Sequence, residues 1–115
     1  MATQNTLEVL FGGQAAAKVL LFLENYGEGY ASQIARTYEM PVSEVQKQLR
    51  KFEETGILVS RMVGTSRMYT WNPRDPALQG LRQLLKSTLD YGIPKDRIEK
   101  YYRQRRRPRR QGKPL

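Results

Sequence analysis

Residues 40–58 read MPVSEVQKQLRKFEETGIL, and the organisation of the whole chain follows from this stretch. Val45, Leu49 and Phe52 recur at i, i+4 and i+7, which sets three apolar groups on one stripe of a helix. The opposite side carries Ser43, Lys47, Arg50 and Glu54, flanked by Glu44, Gln46 and Lys51. Ser43, Gln46 and Lys47 are side chains able to hydrogen-bond base edges or phosphates. Gly56 follows Thr55 and ends the helix where a left-handed residue is needed. Two readings of the polar face stand side by side: a surface that reads base edges, or the solvated face of an ordinary amphipathic helix. The neighbouring segments favour the first.

Upstream, residues 14–24 predict a helix, with Ala15, Ala16 and Ala17 as strong helix formers. Ala16, Val19, Leu20 and Leu23 form one stripe, and Leu21 and Phe22 widen it. Such a helix is buried between layers or at an interface. Before it, residues 7–11, LEVLF, could form an apolar helical turn packed on the domain or on a second subunit. After it, the glycines at 27 and 29 break the helix, and Tyr30 is expected to make a one-residue sheet bridge. Residues 31–39 predict a short helix with Ile34 and Ala35 inward and Tyr38 beside them. A turn of about four residues, containing Pro41 at a helix start, joins it to the 40–58 stretch, which makes a helix-turn-helix.

Downstream, Ile57, Val59, Arg61 and Val63 alternate with Leu58, Ser60 and Met62, as in a strand. Gly64, Thr65 and Ser66 form a turn, and RMYTW, residues 67–71, alternates again. This hairpin places Arg61 and Arg67 beside its tip, with the Thr65 and Ser66 hydroxyls able to donate to phosphate. Residues 75–91 predict a last clear helix, with Asp75 as N-cap and Pro76 at the first helical position. Its seam of Leu78, Leu81, Leu85 and Leu89 packs either on the domain's own core or on a partner subunit.

Composition narrows the chemistry. The 115 residues fit one domain and include no cysteine and no histidine. Disulfides, Cys/His metal sites and Ser–His or Cys–His catalysis are thereby excluded. The eleven acids are scattered and no phosphate-binding glycine loop is present, so neither an enzyme nor a bound cofactor or metal is expected. The formal net charge is +9. Seven basic residues (Arg103, Arg105, Arg106, Arg107, Arg109, Arg110 and Lys113) crowd into the last thirteen positions without an acid. The rest of the chain, with thirteen basic residues against eleven acids, carries only +2. A like-charged block of this kind is a poor core former and a good polyanion ligand. The division expected is therefore an N-terminal extension over 1–12, a domain over 13–91 and a basic extension over 92–115, flexible from 103. No secretion signal or membrane span is recognisable, so the cytoplasm, or the nucleus in a eukaryote, is the expected compartment, with association with the nucleoid if the chain binds DNA.

Helix, helix, turn, helix, hairpin, helix is the order of a winged helix-turn-helix domain. The expected fold is thus mainly α with a small β-hairpin (α+β): a three-helix core, a wing and a C-terminal helix. The segments FGGQ (11–14), ASQIAR (31–36), VQKQL (45–49), EETGIL (53–58) and YTWNP (69–73) resemble the ArsR/MarR-like regulators. They are most similar to the small winged-helix proteins found with, or fused to, minimal nucleotidyltransferases. The resemblance covers roughly residues 10–89. It implies that Ser43, Glu44, Gln46, Lys47 and Arg50, with Lys51 alongside, face double-stranded DNA from the second helix of the motif. It implies the same for Arg61, Thr65, Ser66 and Arg67 from the wing. It also implies a homodimer, for which Leu7, Leu10, Phe22, Leu81, Leu85 and Leu89 on the terminal helices are the candidate contacts. Metal sensing through Cys or His, known in such families, is ruled out here, and the Arg-rich tail departs from their pattern.

The function expected is sequence-specific duplex DNA binding by a transcriptional regulator. The tail would add salt-sensitive affinity blind to sequence. Two alternatives remain open on the sequence. A near-neutral winged helix can serve as a protein-interaction adaptor, for instance for a nucleotidyltransferase. An Arg-rich tail with Tyr101, Tyr102 and Trp71 could instead bind RNA.

Overall fold

A computed structural model describes residues 4–104. Six α-helices and a three-stranded antiparallel sheet follow in the order α1 (Gln4–Phe11), α2 (Gln14–Tyr26), β1 (Glu28–Tyr30), α3 (Ala31–Tyr38), α4 (Val42–Glu54), β2 (Leu58–Val63), β3 (Ser66–Trp71), α5 (Leu78–Ser87), a π-helical turn (Thr88–Gly92) and α6 (Lys95–Tyr101). The molecule is therefore mixed α+β. Among the described residues no helix is long and apolar enough to cross a membrane.

α2 is the centre of the core. Val19, Leu20, Leu21, Phe22 and Leu23 are buried in succession, so the helix is enclosed on every side. It packs against α1, α3, α4, α5 and β1. Each fully buried Leu or Phe is worth about 1.5–3 kcal/mol. An exposed ion pair is worth about 0–1 kcal/mol, so α2, not surface charge, sets the stability. Arg82 of α5 adds a bond to Glu24 at 2.7 Å and stacks its guanidinium over the Trp71 ring at 5.4 Å.

The ends of α3 and α4 have visible causes. The Gln33 side chain reaches back to accept the Tyr30 N–H and closes the first turn of α3. At its other end Glu39 takes φ 57°, and Met40 N donates to the Ala35 carbonyl at 2.9 Å. α4 ends the same way: Gly56 lies at φ 84°, Gly56 N donates to Glu53 O and Ile57 N to Phe52 O. Both are Schellman closures, one with the expected glycine and one with a glutamate.

The sheet order is β1-β3-β2. β1 is a full three-residue strand rather than the single bridge expected at Tyr30: Glu28, Gly29 and Tyr30 pair with Thr70, Tyr69 and Met68. The β2–β3 loop is two residues, Gly64 and Thr65, since Val63 already pairs with Ser66. Only Gly64 has positive φ, the pattern of a type II′ hairpin turn.

The C-terminal half departs from expectation in two places. Asp75 is not the N-cap of a helix: its Oδ1 accepts the Ala77 N–H at 3.0 Å within a turn, and Ala77 stands at the N-cap of α5. That turn is closed by i to i+3 bonds, so α5 proper begins at Leu78 and gives way to the π turn at Thr88. The core also runs past the domain end read at 91 and before the start read at 13. Leu7, Ile93 and Tyr102 are buried in the same cluster as α2.

Several residues considered for a subunit contact lie in that cluster or beside it. Leu7, Phe22 and Leu85 are enclosed within the chain's own core, where α2 packs against α1 and against α5. Leu81 and Leu89 are half-buried against the same core, and Leu10 is 61% exposed.

Candidate nucleic-acid interface

The exposed side of α4 consists of two rows at i, i+4, i+8 spacing, which share one direction along a helix. Val42, Gln46 and Arg50 make one row; Ser43, Lys47 and Lys51 make the other, and all six are exposed. Among the described residues, Gln46, Lys47 and Arg50 have no hydrogen-bond or ion-pair partner. Glu44 is half-buried at the edge of this face, next to the buried Gln48. The Gln48 Oε1 is enclosed without a hydrogen-bond partner among the described residues.

The first row forms one wall of a groove of about 460 Å³. The hairpin forms the other wall with Met62, Thr65, Ser66, Arg67 and Tyr69, and the start of α3 closes one end with Tyr30, Ala31 and Ser32. Five residues expected at the interface, Gln46, Arg50, Thr65, Ser66 and Arg67, therefore line a single concavity. Lys47, Ser43 and Lys51 stand outside it on the convex ridge.

A hydrogen-bonded link sets the angle between the walls. Arg67 Nη1 donates to Ser60 Oγ at 3.0 Å, and that hydroxyl donates to the Glu53 carboxylate. The link runs from β3 through β2 to the last turn of α4, so hairpin and helix are held as one unit. Tyr69 lies beneath it. Burial pushes its phenol pKa up, the Glu53 carboxylate adds to the rise, and Arg67 and Arg50 oppose it. Two guanidinium groups and one carboxylate thus act on the same small volume.

Arg61 is not part of this site. Arg61 pairs with Met68 and Met62 with Arg67, so Arg61 and Arg67 lie on opposite faces of the sheet. The Arg61 guanidinium stands 3.8 Å from Glu28 on the outer face. The period-two pattern carried this information: once a two-residue loop at Gly64 and Thr65 is assigned, parity puts Met62, Arg67 and Tyr69 together and Arg61 apart. Tyr30, Ser32, Val42, Met62 and Tyr69 were missed in the sequence. Val42 sits four residues before Gln46 and could have been found from helical spacing alone.

Of the basic tail, Arg103 is exposed. Arg105, Arg106, Arg107, Arg109 and Arg110 lie outside the described residues. Comparison with protein-family models, with curated proteins and with solved structures finds no match to this chain.

Proposed function

We propose that this protein is a winged helix-turn-helix that binds double-stranded DNA in a sequence-specific manner, as a homodimeric transcriptional regulator of the cytoplasm and nucleoid. α3 and α4 are the helix-turn-helix, and the β2–β3 hairpin is the wing. One observation carries the reading: the row of α4 that bears Gln46 and Arg50, neither with a partner among the described residues, shares one groove with Arg67 and the inner face of the hairpin. A convex helix bearing Ser43, Gln46 and Lys47 suits the major groove, where amide and ammonium groups discriminate base edges. The adjoining concavity suits one sugar–phosphate strand, with hydroxyl and guanidinium donors on both walls. Of the apolar contacts considered for a second subunit, Leu10 has the exposure that such a role requires.

Selection from a random duplex pool tests this directly. A homodimer returns a two-fold symmetric consensus with half-sites one DNA turn, ~34 Å, apart. Recovery of no enriched sequence at low salt would sink the proposal. It would favour the adaptor reading, which is supported by the +2 charge outside the tail and by the exposed Val42 and Met62 in the groove.

A further inference from the structure

Val42 opens α4 and heads the row that continues through Gln46 and Arg50. It is 43% exposed, and it lies outside both the core cluster and the half-buried residues packed against that cluster. As a β-branched residue it is also a poorer helix former than alanine. Neither core packing nor helix formation accounts for an apolar side chain at this point. Its neighbours in the groove are mostly polar or charged: Ser32, Gln46, Arg50, Thr65, Ser66 and Arg67.

The spacing of the row limits what can lie against it. Four residues of helix rise about 6 Å, so Val42, Gln46 and Arg50 present an isopropyl group, an amide and a guanidinium at intervals of about one turn. Gln46 and Arg50 have no hydrogen-bond or ion-pair partner among the described residues. Arg50 and Arg67 both act on the Tyr69 phenol, against the single carboxylate of Glu53, so positive charge gathers at that end of the row. Phosphate suits the cationic end. The other end suits an edge that carries a methyl group near a paired donor and acceptor. The major groove of duplex DNA offers that set: the C5 methyl of thymine, and the N6 amino group and N7 of adenine.

We infer that Val42 takes the methyl of a thymine while Gln46, one turn on, pairs with the edge of an adenine in the same half-site. The inference rests on the DNA-binding reading and names base pairs that the helix selects. The first residues of the second helix are the part of a helix-turn-helix that meets base edges. A rise of about 6 Å between the two side chains, against about 3.4 Å per base pair, keeps the two contacts within about three base pairs.

Thymine-to-uracil exchange isolates the methyl, because uracil keeps every hydrogen-bonding group of thymine. Full-length protein is measured by competition on the duplex recovered by selection, with each thymine of a half-site, on either strand, exchanged in turn. One exchange is expected to weaken binding about fourfold, the loss of one buried methyl. Val42→Ala is expected to bind the thymine and uracil duplexes alike at that position. Alanine at an exposed first helical position favours the helix, so this variant keeps the fold. Exchange of each adenine for 7-deazaadenine, which lacks N7, locates the Gln46 contact in the same way, with Gln46→Ala as the insensitive variant. The two sensitive positions should fall within about three base pairs. A half-site that tolerates uracil at every thymine, or 7-deazaadenine at every adenine, overturns the inference. So does an effect that persists in the matching alanine variant, or a wider separation of the two positions. In each of these cases the selected duplex is still preferred and the DNA reading stands. Failure to recover any preferred sequence overturns that reading, and this inference with it.

Discussion

Gly29 is where the three-residue strand β1 presses on the core. A Cβ built there would stand 2.6 Å from the Phe22 ring, and that ring is buried. Gly29→Ala forces either the ring or the strand to move, and overpacking of this kind costs about 1–3 kcal/mol. A lowered denaturation midpoint with an unchanged m-value is expected; an unchanged midpoint would mean that Phe22 has room to turn. Glu39 is the opposite case. It holds φ 57° without being glycine, a conformation that costs a side-chain-bearing residue about 1 kcal/mol or more. Glu39→Gly relieves that strain at some cost in unfolded-chain entropy, so thermal unfolding should show a gain of at most about 1 kcal/mol. The need for a left-handed residue was legible at Gly56, because glycine announces it. At Glu39 nothing in the residue type did.

On the proposed reading, both exposed rows of α4 supply groups that meet base edges. Lys47 and Gln46 carry hydrogen-bonding groups with no partner among the described residues, and each suitable base contact is worth roughly 1–3 kcal/mol of discrimination. Gln46→Ala and Lys47→Ala should each relax preference at one position of the selected site, read by competition between single-base variants. A site preference unmoved by both substitutions would remove α4 from the reading role. Arg67 lies on the hairpin wall and is expected to meet phosphate. Arg67→Ala should weaken all duplexes alike and lower the log–log salt slope by about 0.9. The polar face of α4 and the hairpin were both legible from periodicity. Which hairpin residues share the groove was not, until pairing across Gly64 and Thr65 set the parity and sent Arg61 to the far face.

At the scale of the molecule, α1 and the segment from Ile93 to Tyr102 close the core around α2, and the tyrosines make that closure sensitive to alkali. Burial pushes the phenol pKa of Tyr38 well above its usual value, with the neighbouring Tyr102 adding to the rise. Burial likewise pushes the Tyr102 phenol up, against a lowering by its bond from Tyr38. The folded protein holds both protons more tightly than the unfolded chain does. Their contribution is therefore complete below the ordinary phenol value of about 10, and it drains away as pH rises past that value towards the folded ones. Chemical denaturation between pH 8 and 11.5 should show stability falling above about 10. The paired Tyr38→Phe and Tyr102→Phe variant should fall less steeply; parallel curves would show that the two phenols do not govern the alkaline limb.

The order of elements, the stripe that α4 turns inward, the glycine that ends it and the uneven placement of positive charge were set by residue type and spacing alone. Those properties are local: they depend on periods of two and about 3.6 residues, and on backbone preferences that each residue carries with it. Tertiary packing decided what local patterns leave open. It enclosed Leu7, Phe22 and Leu85 within the chain's own core, paired Arg61 with Glu28 away from the groove, and anchored Gln104 beside Thr37. An apolar stripe specifies that it must be covered, not by what, and a cation specifies no face until the strand beneath it is paired.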